Sequence, residues 1–238
     1  VYAEAMKVVD SQLARKPDDR RYLDAKKNID AVFRSSGAAT CSSIEELFAE
    51  GVDKNPSDTA MLKKVLSLLT ETGCRDSELY FKAATNLYRC EPNAASAAQL
   101  AEMNVARKKY NEAEKYYTEA IDLETDLIVK SGLLTKLATL ELTSDSKQAA
   151  RDFAKAAYSL DPTNGYALFI IAEAYAGARI GETFENQTVY WVVVDYLVRA
   201  KNTDPGLKEQ ADERIAIYSR LFPTKEEAFF LSLIHISE

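Results

Sequence analysis

Apolar residues follow helical spacing along most of the chain, and a pattern of small and large apolar positions returns about every 34 residues. The clearest copy covers residues 94–125. In its first half, a large residue is followed by a small one, Leu100 and Ala101. In its second half, two small residues, Ala113 and Ala120, lie on either side of Tyr117. Small residues let two helices approach closely, and large ones fill the gaps between turns. Each copy is therefore predicted to form an antiparallel helix pair.

Two further copies follow the clearest one. Their pattern residues are Leu134, Leu137, Ala138, Ala150, Ala154 and Ala157 in the second copy, and Leu168, Ile171, Ala172, Tyr175, Leu197 and Ala200 in the third. The third copy is about nine residues too long for the repeat, and we place the excess, residues 177–188, in the loop between its two helices. Prolines and turn residues predict helix ends near positions 17, 56, 92, 125, 162 and 205.

These signals divide the chain into five segments. Residues 1–19 are predicted to be an N-terminal helix, which we expect to be truncated because the chain starts without an initiator methionine or a signal peptide. Residues 20–92 hold two divergent helix pairs, and residues 93–205 hold three repeat units, the last with the insertion. Residues 206–230 form a capping helix and the start of a missing C-terminus. Residues 231–238 (LSLIHISE) resemble translated sequencing-adaptor DNA, so we expect a non-native tail, and the alternative is a genuine short tail.

Composition supports helices and narrows the function classes. The 238 residues include only 8 glycines and 6 prolines, the two residues that break helices. The net charge of −7 and the isoelectric point near 5.0 argue against nucleic acid or an anionic membrane as a partner. The apolar stretches are interrupted by charges, which predicts no membrane span. The single histidine, His235, lies in the tail, so no histidine-based catalytic or metal site is predicted.

The repeat pattern resembles the tetratricopeptide repeat (TPR) over about residues 20–221. The resemblance implies an all-α fold, a right-handed α–α superhelix of four to five helix pairs plus the capping helix. The segments GAATCSSIEELF, GCRDSELYFKAATNLY, VYWVVVDYLVRAKNTDPGL and YSRLFPTKEEAFF resemble a group of envelope-exported TPR proteins of Bacteroidota. That narrower resemblance implies a periplasmic or envelope location, with a cytoplasmic location as the alternative, and brings no reaction or ligand with it.

In the TPR family, four positions of each first helix face a concave groove. Carried onto this sequence, they are Ala95, Ala98, Glu102 and Val105, then Thr135, Thr139 and Leu142, and finally Tyr166, Phe169, Glu173 and Ala176. The lysine and asparagine clamp of chaperone-binding members has no counterpart at these positions. The predicted groove is small, apolar and mildly acidic. It suits a protein or peptide segment that has apolar anchors and a basic residue.

We therefore predict a non-catalytic scaffold for protein–protein or protein–peptide interaction, without catalytic residues, cofactor or metal. The first alternative is a structural protein whose groove is filled by its own C-terminus, and the second is an enzyme whose catalytic residues lie in missing regions. The oligomeric state stays open. Aromatic residues such as Tyr190 and Trp191 are predicted to pack in the core.

The three cysteines leave two alternatives. Cys41 and Cys74 precede the second helices of consecutive pairs, predicted to begin near Ile44 and Asp76, so the spacing of neighbouring helices allows a bridge between them without requiring one. Cys90 lies at the far end of its helix from Cys74, which excludes that pairing. The other interpretation, which we favour on sequence alone, is three small buried hydrophobic residues.

Overall fold

The computed structural model describes the backbone of residues 1–234 and the side chains of residues 1–229. Thirteen α-helices and no strand occur in that part of the chain, which confirms the all-α expectation. The helices are α1 (Tyr2–Arg15), α2 (Arg20–Ser35), α3 (Cys41–Lys54), α4 (Thr59–Glu71), α5 (Glu78–Cys90), α6 (Ala94–Ala106), α7 (Tyr110–Leu123), α8 (Leu127–Thr143), α9 (Lys147–Leu160), α10 (Gly165–Tyr175), α11 (Thr183–Thr203), α12 (Lys208–Tyr218) and α13 (Lys225–Ile234).

Short polar side chains determine where most of these helices begin. Asp58, Ser77 and Asn93 each precede a helix and accept a hydrogen bond from a backbone N–H of its first turn. The turns that end α6 and α8 share one geometry, because Lys108 and Asp145 both have left-handed backbone angles (φ 57° and 60°). That shared geometry is the structural counterpart of the sequence repeat.

The chain divides into two compact units, and the first comprises Val1–Pro92 with helices α1 to α5. Its core is built mainly from large aliphatic and aromatic side chains, among them Ile44, Leu62 and Leu69, which are fully buried. A disulfide joins Cys41, at the start of α3, to Cys74, in the turn between α4 and α5.

The second unit begins at Asn93 and contains α6 to α13. We call α6, α8 and α10 its A helices and α7, α9 and α11 its B helices. Alanines such as Ala113, Ala150 and Ala154 are fully buried where the helices meet. At Gly165 a Cβ atom would lie 2.6 Å from the Cβ of Asp204 and 2.8 Å from the carbonyl oxygen of Ala200. The start of α10 therefore approaches the end of α11 so closely that only glycine fits.

Two segments differ from the sequence expectation. Only residues 177–182 of the 177–188 insertion form a loop, because α11 begins at Thr183 and includes residues 183–188. Asn186 stabilises this arrangement: its side chain accepts hydrogen bonds from the N–H groups of Ile180 and Gly181 and donates one to the Gly181 carbonyl. Helix α13 continues to Ile234, through the first residues of the expected 231–238 tail, whose side chains lie outside the described residues.

Among the described residues, no helix combines the length and the apolar character that crossing a membrane requires.

Candidate protein-binding surfaces

The groove positions of α6 remain accessible in the second unit. Ala95 and Glu102 are exposed, and Ala98 and Val105 are half-buried. These four positions share one face of the helix because they are three or four residues apart.

On α8, Thr139 and Leu142 are half-buried, but Thr135 is buried, with 7% of its surface exposed. The Thr135 hydroxyl donates to the Ser131 carbonyl and accepts from the side-chain amide of Asn164, 2.8 Å away. Asn164 also donates to the Ser131 hydroxyl and caps α10. The assignment of Thr135 to the groove surface is therefore wrong, because its side chain links α8 to the start of α10.

On α10, Phe169 is also misassigned to the groove surface. Only 4% of its surface is exposed, because it belongs to the hydrophobic core formed with α9 and α11 and stacks on Tyr166 with ring centroids 5.8 Å apart. Tyr166 and Ala176 are half-buried and still reach the surface. Because α10 is the most apolar of the three A helices, it buries at Phe169 a position that stays half-buried at Ala98 of α6.

Both acidic groove residues already have partners. Glu102 forms an ion pair with Lys136 of α8. Glu173 accepts a hydrogen bond from the Tyr218 hydroxyl at 3.0 Å, and its other oxygen lies 3.5 Å from Nε of Arg214. Burial and the neighbouring Glu173 raise the pKa of Tyr218 to about 12, so Tyr218 stays a hydrogen-bond donor at neutral pH. The expected preference for a basic residue in the partner is consequently weakened, because these carboxylates are engaged within the chain.

The first unit contains a groove that the sequence pattern did not reveal. A cavity of about 650 Å³ lies between α1, α2, α3 and α4, and its walls include Met6, Phe48 and Met61. Lysines and aspartates alternate around it, and two of them, Lys26 and Asp10, form an ion pair at 2.7 Å.

A polar cluster on Asp30 fixes one wall of this groove. Its carboxylate accepts a 2.5 Å hydrogen bond from the Tyr2 hydroxyl and a 2.7 Å bond from the Lys64 ammonium. Lys64 also lies over the rings of Tyr2 and Phe48. Burial would raise the pKa of Asp30, but the hydrogen bonds from Lys64 and Tyr2 outweigh burial and hold the pKa below its usual value. These residues come from three helices, so no local sequence motif marks the cluster.

The expectation that all three cysteines are small buried hydrophobic residues is wrong. Cys41 and Cys74 form the bridge, with Cα atoms 5.7 Å apart, and Cys90 is exposed.

Trp191, which we expected to pack in the core, is more accessible than a core residue. It lies between Phe184 and Phe222 with 43% of its surface exposed.

The described residues include no group of three or more histidine, cysteine, aspartate or glutamate side chains placed to hold a metal ion.

Solved structures with this arrangement of helices identify the fold. The crystal structure of MamA superimposes with a TM-score of 0.53 and 16% sequence identity, covering 76% of this chain and 97% of that one. The C-terminal part of a TPR repeat-containing protein from Cytophaga hutchinsonii superimposes with a TM-score of 0.56 and 17% identity, covering 92% of this chain and 83% of that one. The chain is a protein of the TPR fold, as its repeats predict.

At the level of sequence, no family model matches the chain, and no curated protein matches it.

Proposed function

We propose that the protein is a non-catalytic scaffold that binds a segment of another protein along the A helices of its second unit. The observation that carries the proposal is the accessible face of α6 and α8, where Ala95, Ala98, Val105, Thr139 and Leu142 remain exposed or half-buried. Small side chains let a partner backbone approach, and Val105 and Leu142 supply apolar contact area. The partner is expected to contribute apolar anchors, since Glu102 is already paired with Lys136.

Binding can be tested with peptides selected from a display library on the wild-type protein. The groove variant Ala95→Arg/Thr139→Arg places two large cations on this face. The control variant Ala156→Arg/Thr118→Arg makes the same replacements at exposed positions of α9 and α7. We expect the groove variant to bind the selected peptides at least about tenfold more weakly, a change of about 1.4 kcal/mol, and the control to bind them normally. Equal losses in both variants would contradict the proposal.

The alternative of a groove filled by the protein's own C-terminus makes a different forecast. In that case a chain that carries such a C-terminal segment would bind the peptides much more weakly than residues 1–230 do. The enzyme alternative would require catalytic groups supplied by regions outside this chain.

We also place the scaffold in the bacterial envelope. The Cys41–Cys74 bridge supports this location, because disulfides form and persist in oxidising compartments. Mass mapping of thiols in protein produced with and without export tests it. The bridge is expected in the exported protein, and free thiols at both positions after export would remove the support.

A further inference from the structure

The B helices of the second unit carry a continuous surface of cations and aromatic rings. We call it the outer cationic surface, and it comprises Arg151, Lys155 and Tyr158 of α9, Tyr175 at the end of α10, and Tyr196 and Arg199 of α11.

Two stacked tyrosines form the centre of this surface. The rings of Tyr175 and Tyr196 lie 5.9 Å apart at an angle of 19°. The guanidinium of Arg151 lies 4.8 Å from the Tyr175 ring, and the ammonium of Lys155 lies 5.9 Å from the same ring. Two cations on α9 therefore share one aromatic ring.

Arg199 extends the surface along α11. Its guanidinium lies 5.0 Å from the Tyr196 ring and 5.9 Å from the Tyr158 ring. The aromatic contacts hold its side chain between two helices. A side chain held in this way loses less conformational entropy when it binds a ligand.

The three cations have no carboxylate partner in the described part of the chain, where no ion pair within 4 Å involves any of them. Two nearby aspartates could have supplied one: Asp152 is instead hydrogen-bonded to Gln148 at 2.8 Å, and Asp195 precedes Arg199 by one helical turn without pairing. Some lysines elsewhere in the unit are neutralised, as Lys136 is by Glu102 and Lys201 is by Asp212. Arg151 donates a hydrogen bond to the side-chain oxygen of Gln148, a neutral group, so its positive charge stays uncompensated.

This arrangement carries an electrostatic cost in the free protein. Arg151 and Lys155 are four residues apart on one helix face, where like charges destabilise a helix. Cation–π contacts stabilise both side chains over the Tyr175 ring, and they leave the positive charge uncompensated. A carboxylate that approaches from solvent would relieve the repulsion.

We propose that the outer cationic surface binds an acidic segment of a partner protein. Carboxylates of the segment pair with Arg151, Lys155 and Arg199, and its apolar side chains lie on the tyrosine rings. Separate cations set among tyrosine rings match a short segment that alternates carboxylates with apolar side chains, and a single-stranded oligonucleotide is the competing ligand that the test must distinguish. This surface lies mainly on the B helices, with Tyr175 contributed by the end of α10, and it shares no residue with the proposed groove on the A helices.

Fluorescence anisotropy with a labelled peptide rich in glutamate and leucine tests the proposal, with the glutamine analogue of that peptide as the reference. We expect the glutamate peptide to bind at least about tenfold more tightly and to lose affinity as salt is added. Equal affinity for both peptides would overturn the proposal. Tighter binding of a single-stranded oligonucleotide would also overturn it.

Charge-reversal variants locate the binding. Lys155 and Arg199 are exposed, so Lys155→Glu/Arg199→Glu is expected to fold and to lose at least about tenfold in affinity for the glutamate peptide. Lys108→Glu/Lys115→Glu changes the net charge by the same amount at exposed positions elsewhere in the unit and is expected to retain most of the affinity. Equal losses would show that binding follows net charge alone, which contradicts the proposal.

Two further variants complete the test. Should charge reversal disturb folding, Lys155→Gln/Arg199→Gln removes the charges without repulsion and is expected to weaken binding as well, and unchanged binding would overturn the proposal. The groove variant Ala95→Arg/Thr139→Arg should not weaken binding of the glutamate peptide. A loss there would assign the peptide to the groove instead.

Discussion

The second unit buries thirteen alanines among its described residues, whereas the first unit buries one, Ala83. The first unit instead places leucine, isoleucine, valine and aromatic side chains between its helices and adds the Cys41–Cys74 disulfide and the Tyr2–Asp30–Lys64 cluster. Both units are stacks of helices, so the difference lies in what holds the helices together.

Alanine contacts let helix axes approach closely, and alanine loses no side-chain conformational entropy when it is buried. The first unit places larger side chains between its helices, and a groove of about 650 Å³ lies between α1, α2, α3 and α4. A covalent bridge and hydrogen bonds to partly buried charges then supply stability that close packing supplies in the second unit. The repeat pattern was clearest in the unit whose helices meet mainly through buried alanines.

The largest expected loss of stability comes from truncating a side chain in the core of the second unit, compared with one that lines the groove of the first unit. Phe169→Ala should destabilise the second unit by about 3–5 kcal/mol, because it removes a buried ring from the core. Phe48→Ala, in the half-buried groove of the first unit, should cost clearly less. Chemical denaturation measures both. A Phe169→Ala protein of normal stability with weakened peptide binding would restore Phe169 to the groove surface.

The disulfide gives the next largest effect. Closing a loop of 33 residues is expected to contribute about 3–4 kcal/mol to the first unit. Cys41→Ser/Cys74→Ser should lower the denaturation midpoint of the first unit and leave that of the second unit in place. Cys90→Ser, at an exposed free thiol, is the control and should change neither. Equal decreases in the denaturation midpoints of both units would contradict the claim that the disulfide stabilises the first unit alone.

Overpacking probes the alanine contacts of the second unit. Ala150→Leu inserts methyl groups into a fully buried contact and should cost about 1–3 kcal/mol. Ala156→Leu, exposed on the same helix, should be nearly neutral. Thermal denaturation followed by circular dichroism compares the two variants. Equal stabilities would mean that the second unit tolerates wider helix spacing than its alanines indicate.

Acid titration gives the smallest effect and probes the first unit alone. Because the folded-state pKa of Asp30 lies below its unfolded value of about 3.9, its stabilising contribution is present above that value and is lost as the pH falls through the folded pKa. We expect Asp30→Asn to cost about 1 kcal/mol at neutral pH and less in acid. Asp10→Asn, at a more exposed ion pair of the same groove, should have a smaller effect. A pH-independent Asp30→Asn penalty would contradict the role of the carboxylate.

The sequence allowed the helices and their ends to be predicted because these depend on local signals. Pro56 and Pro92, for example, lie in turns between helices. The burial of Phe169 and Thr135 could not be predicted, because it depends on neighbours from other helices. The Asp30 cluster was missed for the same reason: Tyr2 and Lys64 are 28 and 34 residues away from Asp30 in sequence.

The insertion and the cysteines illustrate intermediate cases. Residues 183–188 lack a strong helical pattern, and they become helical because Asn186 organises the preceding turn. Helix geometry made the Cys41–Cys74 pairing conceivable, but only the folded unit shows their Cα atoms within bridging distance.

Hydrogen exchange with and without a reductant tests most directly the claim that a disulfide supports the first unit and close packing supports the second. Reduction is expected to speed amide exchange in α3, α4 and α5 and to leave the protection of α8, α9 and α10 unchanged. Equal loss of protection in both sets of helices, or no change in α3 to α5, would contradict the claim.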